Sequence, residues 1–182
     1  YVNPKNRQVQ IEMEQACTEH LKRIGAFIAS PTKQVNLEMG DFAYEASVII
    51  PVKNRAKTIA DAIDSVLKQK ADFAFNIIVV DNFSTDGTSE IIADKAMKDG
   101  RVIHLIPQRK DLGIGGCWNE GVAHPKCGRF AIQLDSDDLY QDENTLTNLV
   151  SAFYEQQVPM VVGSYTMTDF ATRQAAEPSA TY

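Results

Sequence analysis

From Ala46 onward, short β-branched runs alternate with amphipathic segments, and that alternation restricts the chain to few folds. Ser47-Val48-Ile49-Ile50-Pro51-Val52, Asn76-Ile77-Ile78-Val79-Val80, Arg101-Val102-Ile103-His104-Leu105-Ile106 and Phe130-Ala131-Ile132-Gln133-Leu134 read as strands. Met160-Val161-Val162-Gly163-Ser164-Tyr165 reads as a fifth. The first two are nearly continuous apolar runs, the pattern of parallel strands covered on both faces. Between the strands, apolar residues recur at helical spacing: Ile59, Ile63, Val66 and Leu67; Ile91, Ile92 and Met97; Ile114, Trp118 and Val122; Leu146, Leu149, Val150 and Phe153. The expectation is an α/β fold with a mainly parallel sheet and helices on both faces. Right-handed crossovers then send every strand's carboxyl end to one edge, where ligands bind at the point of reversed strand order.

Residues 1–45 differ. Cys17, Leu21, Ile24 and Ile28 recur at helical spacing, which predicts an amphipathic helix over roughly 10–29, stopped by Ser30-Pro31. The stretch from Thr32 to Ala46 is polar and irregular, so 1–45 is expected to form a helical arm and linker before a domain at 46–182. A net charge of -6 without a Lys/Arg cluster argues against a nucleic-acid partner. No apolar run approaches the ~20 residues of a membrane-spanning helix. Cys17, Cys117 and Cys127 are scattered and form no CxxC, which fits free thiols in a reducing cytoplasm better than a zinc site or disulfides. His20, His104 and His124 stand apart from one another and read as structural or superficial.

The chemistry-bearing residues fall where strands end: Pro51 to Asn54, Asp81-Asn82, and Asp135-Ser136-Asp137-Asp138. Three carboxylates within four residues raise one another's pKa unless something positive sits among them. A hard divalent cation such as Mg²⁺ or Mn²⁺ suits oxygen ligands of this kind; a helix cap is the competing reading, and convergence of three strand-end loops favours the cation. Asp81 or Asn82 can hydrogen-bond a base edge or a ribose, or simply form a turn. Ser84, Thr85 and Asp86 suit the start of the next helix. The run Gly113-Ile114-Gly115-Gly116 at a helix start suits an anion or close helix–sheet packing, and both readings stay open. It satisfies neither GxGxxG nor GxxxxGK[ST], and no glycine motif follows the first strand, which excludes a dinucleotide site and a P-loop. Arg109 and Lys110 read as solvated loop charges.

Taken together, 47–54, Ile78-Val79-Val80-Asp81-Asn82-Phe83-Ser84-Thr85-Asp86-Gly87-Thr88, Asn119-Glu120-Gly121 and Leu134-Asp135-Ser136-Asp137-Asp138 resemble the nucleotide-binding half of a family 2 glycosyltransferase with the Rossmann-like GT-A fold. The likeness covers roughly 46–165. It implies that Pro51, Val52, Asn54, Asp81, Asn82 and Gly113 hold a nucleotide-sugar. It also implies that Asp135, Ser136 and Asp137 form a DxD motif, with Asp135 near the ribose. Asp137 and Asp138 then ligate Mn²⁺ or Mg²⁺. The implied partners are a nucleotide-diphosphate sugar and an acceptor saccharide or other hydroxyl compound.

Three positions depart from the family pattern. Asn82-Phe83 stands where a second Asp and a small residue are usual, and Trp118 where an Arg often precedes Asn-x-Gly. The acceptor-side half with the general base is expected beyond Tyr182, so the base is unassigned; Asp169 has suitable chemistry and nothing else to nominate it. Two other functions fit the same elements: a nucleotide-sugar-binding module without catalysis, and a sugar-phosphate nucleotidyltransferase, although 52–56 is not the glycine- and arginine-containing loop such an enzyme carries.

Overall fold

The computed structural model describes residues 7–28 and 36–168. The chain divides into two compact units, Tyr1–Val35 and Asn36–Tyr182. The first holds α1 (Arg7–Arg23), none of whose residues is buried. It ends earlier than the apolar spacing predicts, because Gly25 takes a left-handed conformation at φ +72. The amide of Ala26 donates to Leu21 O at 2.9 Å and that of Gly25 to Lys22 O at 3.3 Å, the paired bonds of a Schellman cap. Ile24 and Ile28 therefore lie past the helix, and Ser30-Pro31 lies outside the described residues.

The second unit runs β1 (Ala46–Val52), α2 (Ile59–Leu67), β2 (Phe75–Asp81), α3 (Thr88–Lys98), β3 (Val102–Leu105), α4 (Ile114–Val122), β4 (Phe130–Gln133) and α5 (Thr145–Gln156). Its four strands pair in parallel in the order β3-β2-β1-β4. The expected fifth strand is absent among the described residues: 160–167 is irregular, and Met160, Val162 and Tyr165 are exposed. Residues 36–45 are not a free linker. Leu37 is buried in the core, and the Arg129 guanidinium donates to the carbonyls of Leu37, Met39 and Gly40.

Strand alternation sorts the apolar residues between two faces. Val48, Ile50, Val52, Ile77 and Val79 join Ile59, Ile63 and Val66 of α2, Ile92 of α3, and Leu146, Val150 and Phe153 of α5 in the main core. Ile49, Ile78 and Val80 on the other face pack against Cys117, with Trp118 half-buried beside them. The buried stripe of α4 is Cys117 and Gly121, not the expected Ile114, Trp118 and Val122; Ile114 is 65% and Val122 53% exposed. A Cβ on Gly121 would sit 2.6 Å from Ile49 Cγ2, so the helix backbone itself lies against the sheet there.

Candidate active site at the carboxyl edge of the sheet

Strand order reverses between β1 and β4, which places a crevice beyond their carboxyl ends. Val52 at the end of β1 pairs with Asp81 at the end of β2, whereas β4 stops at Gln133, opposite Ile49. The chain thus leaves β4 three positions earlier than β1, with one more bond from Leu134 N to Ile49 O at 3.2 Å. The acidic loop starts from that early exit.

The loops after β1 and β2 are laced together. The amide of Asn54 donates to Ser84 Oγ (3.0 Å), that of Arg55 to Thr88 Oγ1 (2.8 Å) and that of Ala56 to Asp86 Oδ2 (3.2 Å). In return, Thr85 N donates to Asn54 Oδ1 at 2.8 Å. Asn54 holds φ +54, a left-handed conformation that Asn tolerates better than most residues. Asp86 Oδ1 accepts the amide of Thr88 at 3.1 Å, so the expected helix-start role falls to Asp86, while Ser84 and Thr85 bind the neighbouring loop. Hydrogen bonds, chiefly from Thr88, hold the Asp86 carboxyl below its ordinary range.

Asp81 is fully buried. Its Oδ1 accepts the amide of Ser84 at 3.0 Å; its Oδ2 meets the Ser89 hydroxyl and, at 3.2 Å, His104 Nε2. Burial pushes its pKa up, but the bonds from Ser89, Ser84 and His104 outweigh that and hold it below the ordinary carboxylate range. Both oxygens are therefore engaged within the protein. Asn82 is different: its Nδ2 donates to Leu112 O at 2.7 Å, and its buried Oδ1 has no partner among the described residues. Phe83 follows at φ +57, a left-handed conformation that Gly or Asn adopts more readily than Phe, with Lys110 Nζ 5.3 Å from its ring centroid. Arg109 pairs with Asp111 at 2.7 Å in the exposed loop, as solvated charges do.

The acidic loop is sparsely bonded. Ser136 is buried, and its carbonyl accepts Thr58 Oγ1 at 2.8 Å, which ties the loop to the start of α2. Asp135 accepts Gln133 Nε2 at 3.3 Å, while Asp137 and Asp138 are exposed. Although the residue is exposed overall, partial burial of its carboxyl, then the charges of Asp135 and Asp137, raise the pKa of Asp138. Among the described residues, the cation within ion-pair distance of this cluster is Arg55, whose Nε lies 3.5 Å from Asp137 Oδ2.

The sequence model described as "Glycosyl transferase family 2" matches residues 47–180. The chain belongs to glycosyltransferase family 2. Glycosyltransferase GlyG of Streptococcus pneumoniae serotype 4 is 32% identical over 119 residues, 65% of this chain and 38% of GlyG. The mannosyltransferase PcManGT of Pyrobaculum calidifontis, solved with GDP-Man and Mn²⁺, superposes with a TM-score of 0.53 at 25% identity, over 62% of this chain and 33% of that one. TarS 1-349 of S. aureus in complex with UDP gives 0.50 at 30% identity, over 61% and 32%. The chain thus spans well under half the length of these similar proteins.

Against that family background the expected site residues sort into three kinds. Asn54, Asp81, Asn82, Asp135, Ser136, Asp137 and Asp138 gather at the carboxyl edge; Pro51 and Val52 are buried within β1. Gly113 is the residue before α4, and a Cβ there would meet nothing within 4 Å, so it serves no tight packing. Arg55, Thr58, Ser89 and His104 were not legible as site residues: only the fold brings them to Asp137, Ser136 and Asp81. Among the described residues no three His, Cys, Asp or Glu side chains form a ready metal cage. The carboxylates of the acidic loop still fit Mg²⁺ or Mn²⁺, because such ions commonly take one or two protein carboxylates and complete their shell with phosphate oxygens and water. Two clefts, of about 450 and 370 Å³, open near Arg129 and Tyr154 at the opposite edge, away from these carboxylates.

Proposed function

We propose that this chain carries the donor site of an enzyme that moves a sugar from a nucleotide-diphosphate sugar to an acceptor saccharide or other hydroxyl compound, with inversion and with Mn²⁺ or Mg²⁺ as cofactor. The observation that carries the reading is the meeting of the laced loops and the acidic DxD loop at the carboxyl edge where strand order reverses between β1 and β4. Family membership supports it, as do the GDP-Man and Mn²⁺ in PcManGT and the UDP in TarS.

In this reading the nucleoside lies against 51–54 and Asn82. Asn82 Oδ1 has no partner among the described residues but is itself buried, so it meets an N–H of the base, a donor that both uracil and guanine possess, only after its side chain shifts. Asp81 acts one layer back, fixing the turn that presents Asn82, and Gly113 leaves room at the start of α4. Asp135 and Ser136 border the ribose, and Asp137 and Asp138 hold the cation. A cation so held supplies positive charge where negative charge develops on the departing diphosphate.

The acceptor hydroxyl must lose its proton to a base as it attacks. No described residue is assigned that role, and Asp169 lies outside the described residues. In this reading 46–182 form the donor-binding domain, with 36–45 packed into the same compact unit and 1–35 an arm preceding it. Three free cysteines support a reducing, cytoplasmic setting; among the described residues no helix is long and apolar enough to cross a membrane.

Calorimetric titration with UDP, GDP and their sugars, with and without Mn²⁺, tests the reading. Metal-dependent binding of one nucleotide class is expected. Failure of every nucleotide to bind with Mn²⁺ present would overturn it, and donor binding without turnover in the full-length protein would reduce the function to a binding module.

A further inference from the structure

The geometry points to Arg55 as an exchangeable counter-ion: its guanidinium holds Asp137 in the donor-free protein and passes to the donor diphosphate when a divalent cation takes Asp137. This rests on the donor-site reading. Arg55 follows β1 and Asp137 follows β4, so the pair spans the crevice at which strand order reverses. Its N···O separation is 3.5 Å and the side chains are 50% and 52% exposed. An ion pair that open to water is weakly held and easily exchanged.

The backbone at both ends of the pair is fixed. The amides of Asn54, Arg55 and Ala56 are held by Ser84, Thr88 and Asp86, and the Ser136 carbonyl is held by Thr58. The freedom at this point therefore belongs to the two side chains. A further bond, from Arg55 Nη1 to Asn54 O, is exposed and 3.3 Å long, and does not lock the guanidinium. A divalent cation offsets the crowded carboxylates better than one guanidinium does. Once displaced, the guanidinium lies beside the diphosphate, and its planar fork of donors matches phosphate oxygens in pairs. Arg55 would then oppose cation binding without nucleotide and favour it with nucleotide, making the two events cooperative.

Titration of Mn²⁺ alone, and of UDP and GDP at saturating Mn²⁺, on the wild type and on Arg55→Ala, Arg55→Gln and Arg55→Lys tests this, with thermal melts confirming folding. Arg55→Ala and Arg55→Gln are expected to bind Mn²⁺ alone about threefold more tightly, as removal of a weak competing ion pair implies. They should bind the nucleotide with Mn²⁺ about tenfold more weakly, the loss of one hydrogen bond to a charged group. Arg55→Lys should restore weak Mn²⁺ binding and only part of the nucleotide affinity. Unchanged or weaker Mn²⁺ binding in Arg55→Ala, or unchanged nucleotide affinity, overturns the exchange while leaving the donor site standing. A wild type that binds neither nucleotide overturns the donor site and this inference together.

Discussion

On the β1–β2 side of the crevice polar groups are satisfied by one another, whereas on the β4 side they face solvent. Asp81, Asp86, Asn54, Ser84 and Thr88 close a network around two loops, leaving Asn82 Oδ1 as its buried acceptor without a partner. The acidic loop has one well-formed tie, Thr58 to Ser136, and three carboxylates of which Asp137 alone lies within ion-pair distance of a guanidinium among the described residues. The contrast assigns different tasks. In the proposed function the first side is a rigid frame for the nucleoside, and the second stores negative charge that a cation would balance.

The comparison breaks most visibly if Asp81 proves dispensable. Asp81→Ala strands the Ser84 amide, the Ser89 hydroxyl and His104, and is expected to cost about 3 kcal/mol of unfolding free energy. Urea denaturation checks this, and a loss below about 1 kcal/mol would mean the frame does not depend on that carboxylate. Thr58→Val removes the tie between α2 and the acidic loop at a cost of about 1 kcal/mol; the same denaturation series should rank it well below Asp81→Ala.

The two sides should also respond oppositely to pH. Asp81 is depressed in the folded state, so its stabilisation is present above the unfolded value of about 3.9 and is lost as pH falls through the lower folded value. Asp138 is raised, so its contribution is favourable below about 3.9 and is lost as pH rises through the higher folded value. Denaturation of Asp81→Asn and Asp138→Asn across that acidic range should show the deficit of the first shrinking toward low pH. Asp138→Asn should be the more stable protein near neutrality, by less than about 0.5 kcal/mol for so exposed a group. Two curves of the same sign would dissolve the distinction.

Much of this arrangement is legible in the chain. The continuous β-branched runs at Val48 and Ile77 declare buried parallel strands, and the strand-end positions of Asn82 and Asp137 follow from them. Other features depend on distant partners. The apolar spacing of Ile114, Trp118 and Val122 misplaces the face of α4, because Gly121 lets the backbone itself approach Ile49. Val161 and Val162 have strand propensity, but a strand also requires a neighbour to pair with, and none of the described strands takes that place. Gly25 is a visible stop signal for α1, masked by the apolar residues that continue past it. No local pattern ties Arg55 to Asp137, and the partnership of His104 with Asp81 spans 23 residues of sequence. Pairings of that kind are created by crossovers, which local patterns do not record.

The central claim is that the acidic loop binds a metal–diphosphate pair while the laced loops hold the nucleoside. Asp137→Ala, titrated with the preferred nucleotide with and without Mn²⁺ alongside the wild type, tests it most directly. The account predicts an unchanged melting temperature, residual metal-independent affinity and loss of the Mn²⁺ stimulation. Binding that remains as strongly Mn²⁺-stimulated as in the wild type would contradict it.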